Sequence, residues 1–251
     1  MDTAPSIDNK DQATGLRHLF GQHKTPVHVL HCPARPALCL PLAQFLSHQL
    51  AERGHTVLWV DEVDMAEREA WPLPCKVRFD LSKSLQGHVP LDQTVSPLTP
   101  TLWYGLSLHT ARIAHAPAPL TERLLGSGVR FESVMVTGGH HKSEGLPHYG
   151  APIHVSVITE CDAGSLQKTL TWMQLAQAQG PVSSWSVVLA GSKARLNHGI
   201  HWIEHIAAAH LSQDVKLLST VDTKVLAAPL AQAWLNSPDL TDLLLHHLLT
   251  R

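Results

Sequence analysis

Apolar and polar positions follow two different rhythms along this chain. Val27-His28-Val29-Leu30, Thr56-Val57-Leu58-Trp59-Val60, Ser133-Val134-Met135-Val136-Thr137, Ile153-His154-Val155-Ser156-Val157-Ile158 and Trp185-Ser186-Val187-Val188-Leu189 are short, nearly continuous apolar runs, and each predicts a buried strand. Val215-Lys216-Leu217-Leu218 predicts a last one. Between them the rhythm changes to helical spacing over Leu38 to Arg53, Ala163 to Gln179 and Gly199 to His210, with Gly54-His55 stopping the first helix. Strands without polar alternation, separated by helices, imply an α/β fold with a mostly parallel sheet flanked by helices on both faces.

The ends read differently. Residues 1–10 are polar and proline-containing, a loose end, after which Asp11 can cap a short helix whose Leu16, Leu19 and Phe20 fall on one side. Lys24-Thr25-Pro26 is a linker, so the chain divides into an N-terminal segment 1–25, an α/β domain 26–236 and a C-terminal amphipathic helix 237–251. Residues 71–120 are proline-rich and predict no more than an edge strand and an irregular loop.

Composition narrows the function classes. With 19 Lys+Arg against 21 Asp+Glu the net charge is −2, and no basic stripe exists to neutralise many phosphates, so nucleic acid is not an expected partner. An apolar share of 44% is enough for a sizeable core, and no run of 18 apolar residues or signal-peptide pattern marks membrane spanning or secretion. The expected location is the cytoplasm. The four cysteines, Cys32, Cys39, Cys75 and Cys161, form no C-x-x-C pair and read as buried thiols.

In an open α/β sheet the turn after the first strand is the usual phosphate site. Here it reads His31-Cys32-Pro33-Ala34-Arg35-Pro36-Ala37-Leu38-Cys39-Leu40. A phosphate cradle needs glycines, a Lys and a Ser/Thr for Mg²⁺, and this segment has none of them.

The surrounding text nevertheless resembles the MinD/ParA (SIMIBI) P-loop ATPases. Leu50-Ala51-Glu52-Arg53-Gly54-His55-Thr56-Val57-Leu58-Trp59-Val60-Asp61 is similar to the phrase that follows their phosphate loop and leads into a D-x-D signature. Counting back along that resemblance puts the deviant Walker Lys at Ala34, the main Walker Lys at Cys39 and the Mg²⁺ ligand at Leu40. Asp61 matches the first acid of the signature, the second falls on Val63, and Thr137-Gly138-Gly139 stands where a further acid is usual. The resemblance therefore implies the fold with a degenerate site and no ATP or Mg²⁺ cofactor.

The N-terminal helix narrows the resemblance further. Asp11-Gln12-Ala13-x-x-Leu16-Arg17 is similar to the D-Q-A-x-x-L-R motif of the FlhG (FleN) regulators of flagellar number and placement. The implied partner is an FlhF-like GTPase of the signal-recognition-particle type, engaged through Asp11, Gln12, Ala13, Leu16, Arg17, Leu19 and Phe20, with Gln12 orienting water for phosphoryl transfer in trans. The chain itself need not be an enzyme. Flagellar switch or regulatory proteins are further implied partners, and a scaffold role without GTPase activation is the alternative.

Two other patterns stand out. Leu240, Leu243, Leu244 and Leu248 form a stripe that suits either docking on the sheet or peripheral contact with the inner membrane or cell pole, although interfacial helices usually carry more Lys/Arg than Arg251 alone. His201-x-x-Glu204-His205 matches the H-x-x-E-H pattern of a zinc hydrolase, and His198 would share its face, but a five-residue match among 19 histidines is weak and no metal site is expected. An active ATPase with an atypical loop is the remaining alternative.

Overall fold

The computed structural model describes residues 25–68, 71–108, 120–125, 129–138, 149–179, 182–211 and 213–222. The Asp11–Phe20 motif helix, His140-His141 and the leucine stripe Leu240 to Leu248 lie outside them.

Eight strands form one sheet: β1 (Val27–His31), β2 (Val57–Asp61), β3 (Val95–Pro97), β4 (Leu102–Leu106), β5 (Ser133–Gly138), β6 (Ile153–Glu160), β7 (Val182–Gly191) and β8 (Val215–Asp222). Their order is β3-β4-β2-β5-β1-β6-β7-β8. Every pairing is parallel except β3 with β4. The longer helices are α1 (Cys39–Glu52), α4 (Ala163–Gln179) and α5 (Lys193–His201), with short turns of helix at α2 (Leu81–Leu85) and α3 (Leu120–Leu125). Beyond α5 the chain widens into a π turn, Trp202–Ala207, and closes with Ala208–His210.

Both faces are covered because the strands are apolar on both. One face presents Val27, Val29, Val60, Val136, Val155, Val157, Val187 and Leu189 to Leu166, Leu170, Met173 and Ala176 of α4 and to Trp202, Ile203 and Ala207. The opposite face presents Leu30, Trp59, Tyr104, Met135, Ile158 and Val188 to Leu42, Ala43, Leu46 and Leu50 of α1. Alternate residues of one strand thus feed two different cores. Each fully buried Leu or Val adds about 1.5–3 kcal/mol of apolar transfer free energy.

Sequence and structure agree on type and differ at the edges. Helix α1 ends as expected: Gly54 takes φ +91, and the Gly54 and His55 N–H groups donate to the Ala51 and Leu50 carbonyls, the left-handed stop that glycine permits. Helix α4 spans the expected residues. The helix expected from Gly199 begins six residues earlier, at Lys193. The proline-rich stretch contains one strand beyond expectation, β4, whose Leu-Trp-Tyr-Gly-Leu pairs in parallel with β2. Among the described residues no helix is long and apolar enough to cross a membrane.

Candidate functional site

The carboxyl ends of β1, β5 and β2 lie side by side, with His31 opposite Gly138 and Asp61 opposite Thr137. In a parallel sheet this is where a ligand is bound. Two of the residues matched in sequence to a nucleotide site stand at these strand ends, Cys32 just after β1 and Asp61 at the end of β2.

The turn after β1 folds in on itself. Arg35 N–H donates to the Cys32 carbonyl at 3.2 Å and Leu38 N–H to the Arg35 carbonyl at 3.0 Å. Cys39 N–H donates to the Pro36 carbonyl, closing a 3₁₀ turn over Pro36–Leu38 that runs straight into α1. Pro33, Pro36 and Pro41 have no N–H to offer. Cys32, Cys39 and Leu40 are buried in the core under α1. Burial pushes the Cys32 thiol up to about 11 and holds Cys39 well above its usual range, so both stay uncharged at neutral pH. The positions matched to the Walker Lys and the Mg²⁺ ligand are therefore core side chains. Three backbone donors of this turn, at Arg35, Leu38 and Cys39, thus bond to carbonyls of the same turn instead of being left for an anion. This donor set does not fit Mg-ATP.

Asp61 has no exposed surface, and it carries a complete set of internal partners. Its Oδ2 accepts from Arg68 Nη1 at 2.5 Å and from the Tyr104 hydroxyl at 2.8 Å, while its Oδ1 accepts from the Val63 N–H at 3.0 Å. Thr137 Oγ1 lies 3.5 Å from the same oxygen and accepts from Trp59 Nε1 at 3.1 Å. Arg68 is buried beside it and also donates to the Trp71 and Pro72 carbonyls. The acid that resembles the first member of the metal-binding signature thus faces a guanidinium, which already supplies the positive charge a metal would bring.

On the α4 side of the same strand ends lie His31, Glu62 and Tyr149, all buried. His31 Nδ1 donates to the Gly138 carbonyl at 2.8 Å, and its ring lies 4.1 Å from that of Trp172. Burial lowers its pKa to about 4, so the imidazole is neutral, with the proton on Nδ1. The Glu62 N–H holds the Thr137 carbonyl, and its Oε1 accepts from the Tyr149 hydroxyl at 3.0 Å. Burial raises its pKa to about 8. Sequence reading singled out none of Arg68, Glu62, Tyr104 and Tyr149. A Glu directly after a strand-ending Asp was the one available signal, since such positions face the ligand end of the sheet.

The remaining candidates lie elsewhere. Cys161 is buried and Cys75 is only half-buried, a correction to the expectation that all four thiols are enclosed. His198, His201, Glu204 and His205 are exposed on the outer side of α5 and the π turn. Among the described residues no three His, Cys, Asp or Glu side chains group to hold a metal ion.

No protein-family model matches the chain, and no curated protein matches it. Solved structures do. It is similar to the cell division protein MinD from Aquifex aeolicus, at 14% identity over 90% of this chain and 97% of that one, with a TM-score of 0.55. A plasmid partition protein from Borrelia burgdorferi matches at 11% identity over 89% and 99% of the two chains, TM-score 0.55. McdA from Cyanothece, solved in complex with ATP, matches at 12% identity over 89% and 97%, TM-score 0.56. An eight-stranded, mostly parallel sheet in this order, flanked by helices on both faces, has the fold of the MinD/ParA-type P-loop ATPases.

Proposed function

We propose that this chain is a regulator of flagellar number and placement that binds and stimulates an FlhF-like GTPase through residues 11–20, without hydrolysing ATP itself. The observation that carries the reading is Asp11-Gln12-Ala13-x-x-Leu16-Arg17 set a short linker ahead of β1 of a MinD-type fold. Proteins of that fold named above act in cell division and plasmid partition, which supports a positioning role. The buried Asp61–Arg68 pair and the apolar Cys39 and Leu40 support the loss of nucleotide chemistry.

In the proposed mechanism the motif helix docks beside GTP bound to the partner. The Gln12 amide holds the attacking water in line with the γ-phosphate, and Arg17 pairs with acidic or phosphate groups. Hydrolysis then ends the partner's GTP-bound state. The α/β domain, with no ATP cycle of its own, presents the helix constitutively. Flagellar switch or regulatory proteins and peripheral contact of the Leu240–Leu248 stripe with the inner membrane or cell pole belong to the same proposal.

The test compares the full chain with one lacking residues 1–20. The full chain should raise the partner's GTP hydrolysis rate and the truncated chain should not. Equal stimulation by both would refute the motif's role.

A further inference from the structure

The face of α5 that looks away from the sheet carries a feature the proposed function does not use. Gly199 lets this helix lie close against β7: a Cβ there would stand 2.6 Å from Cys161 Sγ and 3.0 Å from Leu189 Cδ1. The wide turn that follows keeps Trp202, Ile203, Ala207 and Leu211 buried against the sheet. A spacing of five residues from Trp202 to Ala207 is one turn of π helix, so the bulge corrects the register of the apolar side. Of the residues between, Glu204 and His205 are turned outward. His201, Glu204, His205 and His210 are all exposed, and the His201 and His205 rings meet with centroids 4.4 Å apart.

Two exposed imidazoles in contact, at i and i+4 along the chain, have the spacing at which a pair of His side chains can chelate one ion. Imidazole rings this close can direct two nitrogens at one ion. We propose that His201 and His205 bind a single borderline divalent transition-metal ion, zinc or nickel, at the surface, with the other coordination positions left to water or to a donor from another molecule. Imidazole nitrogen suits these ions and does not suit Mg²⁺ or Ca²⁺. With two protein ligands the site is open and exchangeable, unlike a structural zinc site.

The test is a zinc titration of the full chain followed through the histidine ring resonances in NMR, with His201→Gln, His205→Gln and the control pair His140→Gln/His141→Gln. One equivalent should move the His201 and His205 signals first. Loss of a mere supporting contact costs about tenfold in metal affinity, so each single variant at the site should weaken binding by at least that factor while the control pair leaves it unchanged. Mg²⁺ should move nothing. Earlier shifts at other histidines, or binding unchanged in either single variant, would overturn the chelate.

Discussion

At the scale of single residues, the carboxyl end of β2 is held by charge pairing. Arg68→Ala leaves Asp61 buried without its cation, and removal of one member of a buried pair costs about 3–5 kcal/mol. Denaturant unfolding should show that loss for the single variant, and a much smaller one when Asp61→Asn accompanies it. Losses that simply add would mean the two groups are not coupled. His31 and Glu62 set the pH response. His31 has a folded pKa of about 4 against 6.5 unfolded, so the unfolded chain binds the extra proton and stability falls as pH drops from 6.5 towards 4. Glu62 is raised from 4.5 to about 8, so the folded chain binds the extra proton and stability falls as pH climbs from 4.5 towards 8. The two slopes, each about 1.4 kcal/mol per pH unit, oppose one another between 4.5 and 6.5. Above 6.5 only Glu62 acts. Unfolding measured from pH 6.5 to 8 should show declining stability in the parent and a flatter profile in Glu62→Gln; parallel profiles would contradict this assignment. Asp61 was legible as a strand-ending acid. Its partner was not, because the Arg68 contact depends on the path of a loop that carries no periodic signal.

At the scale of elements, the strands and helices were legible wherever one rhythm held for a full turn or strand. β4 was missed because Gly105 interrupts a five-residue run set among prolines, and its burial against β2 comes from sheet order, which is a property of distant sequence. The π turn was missed for a related reason. Its extra residue answers the packing of Trp202 and Ala207 on the sheet, not any local preference. Helix α5 makes the same point energetically. Gly→Ala in an exposed helix gains roughly 1 kcal/mol, but Gly199→Ala would push a methyl into Cys161 Sγ, and overpacking of that kind costs about 1–3 kcal/mol. Thermal unfolding should therefore show a lower midpoint for Gly199→Ala, restored in part by adding Cys161→Ala. A higher midpoint would show that the helix stands further from β7.

At the scale of the whole molecule, the sheet puts Cys32 and Asp61, two residues matched in sequence to a nucleotide site, at the carboxyl ends of β1 and β2, and both are buried. Calorimetric titration with Mg-ATP is expected to give no saturable heat, and ATP hydrolysis no rate above the blank. A saturable signal abolished by Asp61→Asn would revive an ATPase with an atypical loop. The fold could be read from the sequence because its apolar runs repeat. The site could be read only as a set of missing residues, because replacement partners such as Arg68 and Tyr104 come from outside the motif. The proposed regulation in trans, which rests on the N-terminal motif, has one direct test. The GTP hydrolysis rate of the cognate FlhF-like GTPase, measured alone, with this chain and with its Gln12→Ala variant, should rise with the parent chain and return to the basal rate with the variant. An active partner that shows no stimulation by the parent chain, or the same stimulation by Gln12→Ala, would contradict the account.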